Sequence, residues 1–423
     1  DDVLLEEDMR KFLSHRYSNL TDIELEKVIK KIKYIPNTPL YMGNREAFYL
    51  VNEGFNLVRD DSALAPIHIE YIDFENPENN MFKVVNQYTV QDVRERRPDL
   101  ILFINGIPVA IFEFKTAIQE TTTVYNAWKQ ITIRYNRDIP SLMKYAFLSV
   151  ISDGANTKLG SIFTPYEYYY SWNKVNDTEK VSNGISALLT MIHGAFAKDR
   201  VVAILRDFIY YPDSDKKDTA IVTRYPQFFA ANKMLENIKL HLKPHGDGKG
   251  GTYFGATGSG KTITSFVSTK LLAQRSGIDR TIMLLDRKDL DNQTTSEFTK
   301  FASAYSTGVN TNDNTLIVGT GNTKALSRAL KLDSSSNVVI VTTRQKLNKA
   351  IESLKEKEPG KLANLSGKHI VFIVDECHRA ISAQNMDDIK KVFPKSTWFG
   401  FTGTPIFEEN KKSSDGQYAR TTH

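Results

Sequence analysis

Two places in this sequence combine residue types that could do chemistry. The first is RPDLILFINGIPVAIFEFKT, residues 97–116. Two apolar runs, 100–104 and 107–112, flank Asn105-Gly106, a pair that signals a tight turn between strands. Runs this apolar read as strands buried on both faces. Yet Asp99 precedes the first run and Glu113 and Lys115 end the second, and an unpaired buried charge is costly. Glu113 and Lys115 are two apart in a strand and so share one face. With Asp99 on that face, two carboxylates and an ammonium would converge. Such a group can bind a divalent metal and stabilise an attacking hydroxide or a phosphorane. A plain two-residue turn pairs 104 with 107, hence 98 with 113, and turns Asp99 and Glu113 to opposite faces. The chemistry therefore predicts a bulge or a three-residue turn in this hairpin. The alternative is a structural ion pair at the sheet end, of Asp99 or Glu113 with Arg96, Arg97 or Lys115.

The second place is GATGSGKT, residues 255–262, which follows the short apolar segment TYF and precedes a helical stretch. Gly258, Ser259 and Gly260 let backbone N–H groups wrap a phosphate, and the helix N-terminus adds partial positive charge. Lys261 would reach the β- and γ-phosphates, and Thr262 would ligate Mg²⁺. Further on, HIVFIVDECHR (369–379) places Asp375 and Glu376 at the end of an apolar strand. Asp375 can hold the Mg²⁺, and Glu376 can orient and deprotonate an attacking water. Cys377 reads as a small buried spacer.

The elements that must position these groups differ between the two halves. Residues 1–40 read as helical, with Thr21 and Glu24 spaced as a capping box. Strands are predicted over 66–74, 82–90, 99–104, 107–114 and 145–152, with a helix over 122–135 stopped by Pro140. That makes an α+β domain, 1–182. A helical connector, 183–215, follows. Beyond it, strands at 281–286, 315–319, 337–342, 370–375 and 397–401 alternate with helical stretches. This argues a parallel sheet with crossover helices over 216–407. Residues 408–423 lack periodicity and read as a mobile tail. The fold class is α/β overall.

At 423 residues the chain is too long for one ordinary core. A net charge of +5 permits a nucleic-acid partner without demanding one. The single cysteine rules out an intrachain disulfide and fits a reducing, cytoplasmic setting. The first residues, DDVLLEEDMRKFL, have no signal-peptide apolar core, and no run of eighteen apolar residues could span a membrane. His15 and His68 have no partner pattern.

DECH at 375–378 resembles the DExH box of superfamily 2 helicases and translocases, and their other first-lobe motifs accompany it. RYPQFFA (224–230) is similar to the adenine-reading Q motif, with Gln227 as the reader. LLDRKDLDNQ (284–293) and VTTRQKL (341–347) resemble strand-end motifs that touch the DNA backbone. FTGTP (401–405) resembles the motif coupling hydrolysis to DNA movement, and His378 the box residue that contacts the second lobe. Pro98-Asp99 with Glu113-Phe114-Lys115 resembles the PD-(D/E)XK nucleases. Taken together, over nearly the whole chain, the sequence resembles the motor subunit (HsdR) of type I restriction enzymes. The family carries Q-x-x-x-Y after the nuclease lysine. Here Gln130 is followed by Tyr135, one residue late, which on a regular helix turns the tyrosine by about 100° from the expected line. The resemblance carries Gln130 over and leaves Tyr135 without a role. The family's N-terminal acid could be Glu6, Glu7 or Glu46.

The resemblance implies a nuclease-like domain followed by one RecA-like lobe, with ATP and Mg²⁺ as cofactors. It implies ATP-driven translocation and cleavage of unmodified double-stranded DNA. The partners would be double-stranded DNA and the methyltransferase (HsdM) and specificity (HsdS) subunits, S-adenosylmethionine being bound by the methyltransferase. The second motor lobe, with its arginine finger, has no counterpart in these residues, so an N-terminal portion of a longer chain is expected. Two rivals are a DNA repair helicase–nuclease without a methyltransferase partner and a metal-free DNA-binding adaptor. A type III restriction subunit fits less well, since its nuclease follows its motor.

Overall fold

The computed structural model describes residues 3–116, 123–181, 184–212, 218–255, 259–285, 316–319, 323–331, 338–375, 377 and 383–403. The described residues fall into two compact units, those up to Tyr225 and those from Pro226 onward.

The first unit opens with helices α1 (Glu6–Arg16) and α2 (Asp22–Lys33). The capping box starts α2 as expected: Thr21 accepts from the Glu24 backbone while the Glu24 carboxylate accepts from Thr21 N. Helix α3 (Leu40–Glu53) was not anticipated, although Ala47, Phe48 and Val51 bury one face at helical spacing. A two-stranded pair follows, β1 (Phe55–Leu57) with β2 (Ile67–Ile69). The main sheet is β3 (Phe82–Asn86), β4 (Leu100–Ile104), β5 (Ile107–Phe114), β6 (Leu148–Ser152) and β7 (Thr157–Gly160), in that spatial order. Only β5 and β6 pair in parallel. A parallel pair needs a crossover. It is made by α4 (Val124–Lys129), a π-helix over Gln130–Tyr135, and short helical turns at Asn136–Asp138 and Pro140–Met143. Pro140 was expected to stop a helix. The helical backbone does break just before it, at Ile139, and Pro140 then opens the next turn, where its missing N–H costs nothing. The helices Ala187–Ala195 and Lys198–Asp207, and the strand pair β8 (Ile209–Tyr210) with β9 (Ile221–Val222), lie in this unit too.

The second unit is a six-stranded, wholly parallel sheet: β10 (Gly251–Phe254), β11 (Arg280–Leu285), β12 (Leu316–Gly319), β13 (Val338–Thr343), β14 (Ile370–Val374) and β15 (Thr397–Thr402). Their spatial order is β10-β15-β14-β11-β13-β12. The alternation of strand and helix in the sequence produces this α/β, RecA-like lobe. Ile282, Ile340 and Phe372 point from the sheet into a core closed by Leu347, Ile351 and Leu354 of the helix Arg344–Lys357. No described helix is long and apolar enough to cross a membrane.

Candidate nuclease and nucleotide sites

The hairpin that carries the paired acids is built by a turn and a bulge together. Asn105 and Gly106 both adopt left-handed backbone, φ 50° and 82°, so the turn has two residues and pairs Ile104 with Ile107. The register then slips: Phe103 pairs with Pro108 but Leu102 with Ala110, leaving Val109 as an extra residue. Leu100 therefore faces Phe112, which sets Asp99 opposite Glu113 on one face. The bulge expected from the chemistry is present; the three-residue turn is not needed.

Glu113 is 1% exposed, and burial raises its pKa above the ordinary carboxylate range even though the Lys115 ammonium opposes the shift. Lys115 Nζ lies 2.5 Å from Glu113 Oε1 and donates to Gln130 Oε1 at 3.0 Å. Tyr135 donates to Glu113 Oε2 at 2.9 Å, and Gln130 Nε2 donates to the Tyr135 oxygen at 2.7 Å. The four side chains close a ring. Burial and the neighbouring Glu113 charge push the Tyr135 phenol well above its ordinary range, so it stays a donor. Asp99 is half-buried; its carboxylate accepts from Phe114 N at 2.7 Å and from Gln87 Nε2 at 3.2 Å. Ion pairing thus exists between Glu113 and Lys115, while Arg96 turns instead to Asp138.

The ring holds Tyr135, which regular helical spacing would place elsewhere. The helix over Gln130–Tyr135 is π-wound, with its bonds running i to i+5, so residues five apart approach one another. The extra residue between glutamine and tyrosine is absorbed without moving the tyrosine out of the site. Nothing in the local sequence marks a π-turn; the one available signal was the spacing itself.

Among the described residues no three His, Cys, Asp or Glu side chains are grouped to hold a metal. Mg²⁺ does not need three: it is commonly held by one or two carboxylates with water and substrate phosphate. Asp99 and Glu113 on one face fit that requirement. Glu6 pairs with Lys33, and Glu7 and Glu46 are exposed, so none of these acids joins the group. His15 is exposed and His68 is bonded to Asn56.

In the second unit Ser259, Gly260, Lys261, Thr262 and Asp375 follow the carboxyl ends of parallel strands β10 and β14, where open α/β sheets bind ligands. The loop after β10 is tied to β15 by Gly255 N donating to Thr402 O at 3.1 Å. Gly260, φ 84°, caps the helix Lys261–Ala273, so Lys261 and Thr262 begin its first turn. Lys261 Nζ donates to Gly255 O at 3.1 Å. Ser259 Oγ is buried with no hydrogen-bond partner among the described residues, which suits a site awaiting a phosphate oxygen. Gln227, 2% exposed on the helix Tyr225–His241, donates to Ser259 O at 3.4 Å. Asp375 directly follows β14, 7% exposed, with its N–H on Leu284 O. Cys377 is buried against Gly400 of β15, as a spacer would be. Gly258, Glu376 and His378, most of 284–293 and the tail 408–423 lie outside the described residues.

Fold and geometry together bring two acids and a lysine to one face of a mixed sheet, joined in one chain to a parallel-sheet lobe whose glycine-capped helix begins at Lys261. Residues 1–168 match the family described as the type I restriction enzyme R protein N terminus, and residues 226–422 match the SWI2/SNF2 ATPase family. With those two matches in that order, the chain is similar to the endonuclease subunits of type I restriction enzymes. It is 28% identical over 422 residues to the SsaAORF53P endonuclease subunit of Staphylococcus saprophyticus, covering 97% of this chain and 40% of that protein. It is 29% identical over 413 residues to the putative MjaIXP endonuclease subunit of Methanocaldococcus jannaschii, covering 92% and 37%. The HindI endonuclease subunit of Haemophilus influenzae is 26% identical over 438 residues, covering 98% and 40%. The chain spans about two-fifths of the length of these relatives.

Proposed function

We propose that this chain is the nuclease and first motor lobe of a type I restriction enzyme, which pulls unmodified double-stranded DNA with ATP and cuts it with Mg²⁺. The observation that carries the reading is the alignment of Asp99 with Glu113 by the Val109 bulge, beside Lys115. Asp99 and Glu113 would hold Mg²⁺, which when bound supplies Lewis-acid polarisation of the phosphodiester and a more acidic water. Lys115 would offset the negative charge that develops on the phosphorus oxygens. Gln130 and Tyr135 fix the Lys115 and Glu113 side chains in that geometry. In the motor lobe, Ser259, Gly260 and Lys261 would cradle the phosphates, Thr262 and Asp375 would hold the nucleotide's Mg²⁺, and Glu376 would serve as base. Gln227 would read the adenine. Partners in the whole enzyme would be the methyltransferase and specificity subunits, and similarity to type I restriction endonuclease subunits favours this over a repair helicase–nuclease.

The test uses the assembled enzyme on unmodified plasmid. Glu113→Gln should stop double-strand cleavage while ATP turnover persists, and Lys261→Ala should stop ATP turnover. Cleavage at the normal rate by Glu113→Gln, or ATP turnover at the normal rate by Lys261→Ala, sinks the corresponding half of the proposal.

A further inference from the structure

A pair of carboxylates is a poor docking site for a polyanion. Asp99 and Glu113 repel the phosphate they would have to approach, and a net charge of +5 spread over 423 residues does little to offset that. The offset must be local. Beside the Glu113 ring the surface opens into a cleft of about 560 Å³, whose lining includes Arg96, Arg97, Arg134 and Arg137 together with Gln130 and Tyr135 of the ring. One lining carboxylate, Glu95, stands against the four guanidinium groups.

The four arginines are of two kinds. Arg96 and Arg137 are held from behind by Asp138, whose side chain is fully buried. Arg96 Nε donates to Asp138 Oδ2 at 2.8 Å, and Arg137 Nε donates to Oδ1 at 2.6 Å. Those two guanidinium groups hold the Asp138 carboxyl well below the usual carboxylate range, so it stays charged and keeps them oriented. The backbone of the arginine loop is pinned as well, by the Val90–Arg96 bridge and by Arg94 N on Asp138 O at 3.0 Å. Arg97 and Arg134 are exposed and have no acid partner among the described residues. Arg97 is two residues from Asp99, and Arg134 lies on the π-helix between Gln130 and Tyr135. Charge is thus left available where the cleft meets the acids, and guanidinium geometry matches phosphate oxygens in pairs.

We propose that this cleft seats a backbone phosphate of duplex DNA next to the phosphodiester presented to Asp99 and Glu113. Arg97 and Arg134 supply uncommitted charge, and Arg96 and Arg137 supply donors already oriented by Asp138. The inference rests on the nuclease reading above and adds the groups that position the strand.

The chain's binding to a short duplex oligonucleotide, measured in EDTA from about 50 to 200 mM salt, tests it, since each phosphate contact contributes about 0.9 to the slope of log K against log salt. The charge-removing double variant R97Q/R134Q should lower that slope by about 1 to 2 and weaken binding by about tenfold or more at the low-salt end. R97K/R134K keeps the charge and should keep the slope. An unchanged slope in R97Q/R134Q overturns the inference, and so does an equal loss in both variants, which would mean the arginines act structurally. The nuclease reading fails separately, through normal cleavage by the assembled Glu113→Gln enzyme.

Discussion

Gln130 Nε2 and the Tyr135 oxygen meet at 2.7 Å although the residues are five apart on one helix. On a regular α-helix five residues turn through about 500°, leaving the two side chains roughly 140° apart. The π-winding of Gln130–Tyr135 brings them together, and π-turns of this kind concentrate at functional sites. The ring they form reaches Lys115 and both oxygens of Glu113.

If the extra residue is what the π-turn absorbs, removing one should be harmless. Ile133 is 52% exposed and lies inside the turn. Its deletion restores a spacing of four on an ordinary helix, so cleavage by the assembled enzyme should stay within a few-fold of normal. Tyr135→Phe should behave differently. It removes a hydrogen bond that favours ionised Glu113, so cleavage should fall roughly 10- to 100-fold, as loss of an outer-shell partner typically does. The acid limb of its pH profile should also move to higher pH. A Phe variant with a normal rate and profile would make the tyrosine a packing residue.

The turn that sets the hairpin is itself buried, and its loss should be felt as stability. Asn105 is 0% exposed; its amide donates to Tyr71 O at 2.9 Å and Asn80 Oδ1 at 2.8 Å, and its carbonyl accepts from Met81 N at 2.8 Å. Asn105→Ala orphans these partners and puts a Cβ without a compensating side-chain bond at φ 50°. The expected cost is about 3 kcal/mol or more, from the buried groups left unsatisfied at about 1–3 kcal/mol each. Asn105→Gly orphans the same partners but relieves the backbone, so it should be the milder of the two in urea unfolding. Equal losses would mean that backbone strain contributes nothing.

The acids, the lysine and the phosphate loop could be read from the sequence because their chemistry constrains type and spacing together. The bulge could be argued as well, since a strand has a period of two and a one-residue slip reverses every face. Where it falls could not, because Ile107, Val109 and Ile111 are equally apolar and either face of β5 is buried. The π-turn was hidden for a related reason: helical spacing is read against 3.6 residues per turn, so Tyr135 looked misplaced. Asp138 gave no signal at all. A single aspartate before Ile-Pro reads as a turn residue, and only the folded chain brings Arg96 from 42 residues away onto it.

Glu113 should show the cost of its position as a pH-dependent stability. Its folded pKa is raised, chiefly by burial, above the ordinary value of 4.5. For a carboxyl shifted that way, the stability it contributes is complete below the unfolded pKa and is lost as pH rises through the folded one. At neutral pH the ionised side chain therefore weighs against folding. Glu113→Gln removes the ionisation, so the variant should melt at a higher temperature than the parent at pH 7, with the gap closing as the pH falls below about 4.5. A variant that melts lower at pH 7 would mean that the bond to Lys115 outweighs the burial.

Gly260 offers the last test, in the motor lobe. Its φ of 84° is open to glycine and costs other residues about 1–2 kcal/mol. A Cβ built there would also fall 2.1 Å from Gln227 Nε2, the group that donates to Ser259 O. That amide is the far end of a flexible side chain and can swing away, so the backbone penalty should dominate. If the loop takes this conformation when it wraps a phosphate, while the variant's free loop relaxes out of it, the penalty opposes nucleotide binding directly. Gly260→Ala should then weaken ATP–Mg²⁺ binding by about tenfold, since about 1.4 kcal/mol corresponds to that factor. Adding Gln227→Ala removes the clash but leaves the left-handed backbone, so the double variant should bind no better than Gly260→Ala alone. Recovery in the double variant would shift the cause to the glutamine. Normal affinity in Gly260→Ala would mean that the loop binds nucleotide in a different conformation from the one that caps Lys261–Ala273.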